Sequence, residues 1–156
     1  MKLVVWHKAM ELFELAWNVA YEARIDFKLR SQSADAVQSI SANIAEGYGR
    51  RSINEFIQFL YIALGSLAEA MTRAIGLLRT NQTAADRFEQ FDVLHYEIEN
   101  RSRRLVEKLE QKRDAREWTT GIAEEDEDNP DFALLIDHSI TSPLHYSTTP
   151  SLRAHA

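Results

Sequence analysis

Ser52-Ile53-Asn54-Glu55-Phe56-Ile57-Gln58-Phe59-Leu60-Tyr61-Ile62-Ala63-Leu64-Gly65-Ser66-Leu67-Ala68 is the stretch on which the fold turns. Its first four residues have the capping-box pattern: a serine hydroxyl to accept from the N3 amide, and a glutamate reaching back to the cap amide. A helix is therefore expected to start at Ser52, with Glu55 as the reciprocal cap. From Phe56 to Leu78 apolar residues recur every three and four positions in two stripes. Phe56, Leu60, Ala63, Leu67, Met71 and Ala74 form the first; Ile57, Tyr61, Leu64, Ala68 and Ile75 run beside it. An outer helix of a monomeric bundle needs one such stripe. The second predicts a second buried contact, so Ile57, Tyr61, Leu64 and Ala68 are the expected oligomer interface.

Working outward, Val5, Ala9, Leu12, Ala16 and Val19, beside Trp6, Met10, Phe13 and Trp17, predict a first helix over about residues 3–24. Leu29, Ala36, Ile40 and Ile44 predict a second over 28–47, closed where Gly47 and Gly49 can adopt a left-handed cap geometry. Thr80-Asn81-Gln82-Thr83 breaks the third helix, Thr83 with Asp86 can cap a fourth, and Phe88, Phe91, Leu94, Ile98, Leu105 and Leu109 carry that helix to about residue 114. There is no proline between Lys2 and Arg116, which favours long helices over a turn-rich β fold. The fold class predicted is all-α: an antiparallel up-down-up-down four-helix bundle over residues 1–116.

The chain has 156 residues, 45% of them apolar, and a formal charge of −6 that is unevenly spread. Residues 117–156 hold one arginine against eight acids, whereas residues 1–116 are close to neutral. That second segment carries the acidic run Glu124-Glu125-Asp126-Glu127-Asp128 and Ser/Thr/Pro-rich sequence, a composition expected to stay solvated and without fixed structure. Within it Phe132-Ala133-Leu134-Leu135-Ile136 is an apolar island, read either as incidental or as a segment that orders on docking. With no cysteine, disulfides, thiolate metal sites and Cys nucleophiles are excluded. No run of eighteen uncharged apolar residues and no signal-peptide pattern is present, so a cytoplasmic protein without a membrane partner is expected.

Residues 39–52, Ser39-Ile40-Ser41-Ala42-Asn43-Ile44-Ala45-Glu46-Gly47-Tyr48-Gly49-Arg50-Arg51-Ser52, together with Glu55 to Leu60, Ala63 to Glu69 and the opening Val5-Trp6-His7-Lys8, resemble one family. It is the bacterial four-helix-bundle proteins encoded by intervening sequences of 23S ribosomal RNA genes. The resemblance implies a pentameric ring, distant kinship with the accessory variability protein of diversity-generating retroelements, and nucleic acid, RNA above all, or a reverse transcriptase as partner. This chain departs from the family pattern at Ser41, where a proline is common, and at Ala34-Asp35, where two basic residues are common.

The residues themselves offer three candidate features. Gly47-Tyr48-Gly49-Arg50-Arg51 precedes a helix N-terminus, and Arg50 and Arg51 are candidate phosphate contacts. Arg101, Arg104, Lys108 and Lys112 give the fourth helix a basic end that ring symmetry would multiply into a focused field. Asn43 and Glu46, one turn apart, are expected to satisfy each other or to orient the turn that follows. Asp92 and His95 have the spacing of a carboxylate–imidazole metal pair, but the further ligands of a di-iron bundle are missing from the sequence, so no metal or cofactor is expected. No nucleophile elbow or dinucleotide fingerprint occurs, and the expected function is binding rather than catalysis.

Overall fold

The computed structural model describes residues 3–22 and 26–118, and the chain there forms four helices: α1 (Val4–Glu22), α2 (Phe27–Tyr48), α3 (Ile53–Arg79) and α4 (Ala85–Asp114). The acidic run and the apolar island lie outside the described residues. Each helix packs on two neighbours, α1 on α2 and α4, α3 on α2 and α4. Ala16 and Ala20 near the end of α1, Arg30 and Ser33 early in α2, Ala74 and Leu77 late in α3, and Phe88 early in α4 meet at one end of the bundle. Only an up-down-up-down course brings these residues together. Leu12, Ile40, Ile44, Leu60, Leu67, Ile98 and Leu105 are fully buried on the shared axis, and burial of this kind contributes about 1.5–3 kcal/mol per large side chain.

The helix ends are set by local chemistry. At the start of α2, the Asp26 carboxylate accepts from the Lys28 amide at 2.9 Å. Asn81 stands in the left-handed region (φ 55°) after α3, where the Gln82 amide donates to the Leu77 carbonyl at 2.8 Å. Arg116 (φ 58°) does the same after α4, with the Glu117 amide on the Lys112 carbonyl at 3.0 Å. Both are Schellman endings that satisfy orphan carbonyls. Ser41 is buried within α2 and its hydroxyl donates to the Gln38 carbonyl at 3.1 Å, so the serine is accommodated without a break in the helix.

Several local expectations need correction. Ser52 is the N-cap of α3 but makes no side-chain capping bond, and Glu55 turns instead to Arg50 at 3.9 Å. The cap of α4 is Ala84, without help from Thr83. Neither Gly47 nor Gly49 has a positive φ; the reason for Gly47 is proximity. A Cβ there would stand 2.7 Å from Phe59 Cβ and 2.9 Å from Phe56 Cδ2, so the absent side chain lets α2 close onto α3.

The second stripe of α3 also resolves differently. A helix in a square bundle faces two neighbours, and α3 uses part of that stripe on its own chain. Ile57 is core at 5% exposure, which corrects its reading as an interface residue, and Leu64 is half-buried against the core. Tyr61 and Ala68 remain exposed, as do Ile62 and Ile75. Among the described residues α3 alone is long and apolar enough to cross a membrane by length and composition, but Leu60, Ala63 and Leu67 place one side of it in the bundle core.

Candidate nucleic-acid interface

Helical spacing brings Arg101, Arg104, Lys108 and Lys112 onto one face of α4, since steps of three and four residues return to the same side. Past this face the chain turns through the Arg116 ending, and the Trp118 indole donates to the Arg51 carbonyl at 3.1 Å. That bond ties the end of α4 to the α2–α3 connection. The basic end of α4 and Arg51 therefore belong to the same end of the bundle. Trp118 packs partly on the core beside them.

The six cations foreseen here are not equivalent. Arg50 is ion-paired to Glu46 and Glu55, and its guanidinium lies 5.0 Å from the Phe59 ring centroid. Arg101 is held by Glu97 at 2.8 Å. Arg51, Arg104, Lys108 and Lys112 make no ion pair among the described residues. Exposed pairs are worth about 0–1 kcal/mol, so Arg101 can exchange Glu97 for a phosphate at small cost. Arg50 is bound more closely into the turn. Asn43 does not meet Glu46: its amide donates to the Ser39 carbonyl of its own helix at 2.6 Å, while Glu46 orients Arg50.

Lys8 on α1 extends this charge pattern inward. Its ammonium lies 2.9 Å from Glu11 and 3.6 Å from Glu97, and the bond to Glu11, with Glu97 behind it, holds its pKa above the usual lysine value. Glu97 thus bridges Lys8 and Arg101. His95 is different: burial pushes its pKa below the ordinary histidine value, against the opposing pull of Glu99 and Asp92. Among the described residues no three His, Asp or Glu side chains converge as a metal site would require.

Two features escaped the sequence reading. Trp118, a lone tryptophan just past the last helix, stitches two connections together, and only its position hinted at that. At the opposite end of the bundle, Arg30, Arg73 and Arg87 flank an apolar pocket formed by all four helices. No periodic pattern reveals a pocket shared among four elements.

Comparison with curated proteins gives no match. A family model, described as the 23S rRNA-intervening sequence protein, matches residues 1–106. The matched span takes in α1, α2, α3 and most of α4, including Arg51, Arg101 and Arg104, and stops before Lys108, Lys112 and the acidic segment. Since it covers well over half of the chain and the whole bundle but for the end of α4, the chain belongs to the family of 23S rRNA-intervening sequence proteins.

Proposed function

We propose that this chain is a non-enzymatic, homo-oligomeric accessory protein of the cytoplasm that binds nucleic acid, with RNA as the ligand, through the basic end of the bundle. The observation that carries the reading is the shared face of Arg101, Arg104, Lys108 and Lys112, next to Arg51 across the Trp118 bond. Such a patch suits phosphates rather than base edges, because it offers cations without a helix shaped for a groove. A ring of copies, five by the resemblance to known families, would repeat the patch around an axis. Tyr61 and Ala68, with Ile62 beside them, supply an exposed apolar surface for that assembly.

A titration of salt against the affinity for a short structured RNA tests the proposal. Log affinity should fall linearly with log salt, at about 0.7–0.9 per phosphate neutralised. The triple variant Arg104→Glu, Lys108→Glu, Lys112→Glu should reduce that slope by about two to three while leaving helicity intact. No binding at low ionic strength would end the nucleic-acid reading. The second reading is a protein-interaction scaffold with a partner such as a reverse transcriptase. It is favoured by Val93 and Tyr96, large apolar side chains exposed by 62% and 68% on α4. Light scattering with size exclusion, with and without RNA, separates the two: an oligomer whose mass does not shift with RNA favours the protein partner.

A further inference from the structure

An aromatic ring stands at the edge of the basic site. Tyr96 on α4 is 68% exposed, and among the described residues no ring stacks on it and no group bonds its hydroxyl. Its place in the sequence ties it to the cations. Tyr96, Asn100, Arg104, Lys108 and Lys112 follow one another at intervals of four residues, which on a helix makes a single ridge inclined about 26° to the axis. Each interval advances about 6 Å, so the ring heads a row that continues through an amide to three cations. Asn100 is turned back onto its own helix, its amide donating to the Tyr96 carbonyl at 3.0 Å. Arg104, Lys108 and Lys112 make no ion pair among the described residues. Glu107, three residues past Arg104, is a carboxylate set against the row, and the three cations outnumber it.

We infer that Tyr96 is a stacking platform for an unpaired nucleobase, and that the nucleic acid held at the basic end is single-stranded where it crosses α4. The inference rests on the nucleic-acid reading above and names the form of its ligand. Cations alone accept any phosphate backbone, duplex or single. A ring left in water beside them adds a second demand. Each base has a π-face that can lie on an aromatic side chain, but inside a duplex both faces are covered by the neighbouring pairs, so only an unpaired base can reach the ring. A flexible strand can also follow the oblique ridge, with its phosphates on Arg104, Lys108 and Lys112 and a base laid on Tyr96. The two contacts differ in their response to salt: the phosphate contacts weaken as counterions are added, whereas the stack, which neutralises no charge, does not.

The test titrates the full chain with a short oligouridylate, an abasic ribose-phosphate strand of the same length, and an RNA duplex. Tyr96→Ala should weaken oligouridylate binding at least about fivefold, the low end for loss of one base–aromatic stack. Its salt slope should stay that of the parent, and its affinity for the abasic strand and the duplex should not change. Tyr96→Phe keeps the ring and should bind oligouridylate as the parent does. Because Tyr96 is exposed, circular dichroism should show the same helicity in all variants. If Tyr96→Ala binds oligouridylate as tightly as the parent while the Arg104→Glu, Lys108→Glu, Lys112→Glu variant does not, the basic site stands, the stack is overturned and the ring is left to a protein partner. Equal losses on all three ligands would also overturn it, since the ring would then act only on the shape of the site. Failure of the parent itself to bind any strand at low ionic strength would end the nucleic-acid reading, and this inference with it.

Discussion

The two ends of this bundle are built from the same four helices and finished in opposite ways. At one end α2 meets α3 through Gly47, with Phe56 and Phe59 where a side chain would otherwise stand, and Trp118 pins the last turn to Arg51. At the other, four helices surround a pocket edged by Arg30, Arg73 and Arg87. Closure in the first case comes from removing a side chain; openness in the second follows where small alanines and long arginines replace bulky core residues. Close packing and open space are thereby separated along one axis.

The largest expected effect tests that separation directly. Ile44→Ala, at a fully buried site near the closed end, should cost about 3–5 kcal/mol in urea denaturation, the range for a cavity in a packed core. Leu77→Ala, beside the pocket, should cost about 2 kcal/mol, since neighbours and water already have room to adjust. Equal losses would mean that the open end is packed as tightly as the closed one. Next in size comes a pair of glycines. Gly47→Ala should destabilise by about 1–3 kcal/mol because its Cβ forces α2 from α3. Gly76→Ala, in the last turns of α3 with nothing within 4 Å of a new Cβ, should stabilise by about 0.5–1 kcal/mol through lost backbone freedom in the unfolded chain. Denaturation midpoints moving in the same direction would remove the contrast.

How much of this was legible follows from what a sequence encodes. The period of Leu60, Ala63 and Leu67, or of Ile98, Leu105 and Leu109, states which side of a helix is apolar, and those sides became the core. The break at Thr80-Asn81-Gln82-Thr83 was readable and α3 does end there, but the left-handed residue was expected at Gly47 or Gly49 and stands instead at Asn81. Gly47 announced a missing Cβ but not the approach of Phe56 and Phe59, which depends on a partner helix. Ser52 and Glu55 had the right spacing for a capping box, yet Arg50 captured Glu55, and sequence spacing does not rank such competitors. Ile57 was taken for a subunit contact because periodicity cannot tell a neighbouring copy from a neighbouring helix. In the basic site, the stripe from Arg101 to Lys112 was readable from spacing alone. The bond that brings Arg51 to it, and the carboxylates that occupy Arg50, required the fold.

The smallest expected effect lies between the two ends, at His95, one turn beyond Phe91 on α4. Burial lowers its pKa in the folded chain, and Glu99 and Asp92 only partly oppose that. In the unfolded chain the imidazole returns to its ordinary value near 6.5. As pH falls through 6.5 towards the folded value, the unfolded state therefore takes up the proton first and stability declines; above 6.5 both states are neutral and the contribution is fully present. His95→Gln should remove this component, so that the loss of stability between pH 7 and pH 5 becomes smaller than in the parent chain. A steeper acid loss in the variant would reverse the sign, and would mean that Glu99 and Asp92 hold a charged imidazole against α4 and that burial does not govern the middle of the bundle.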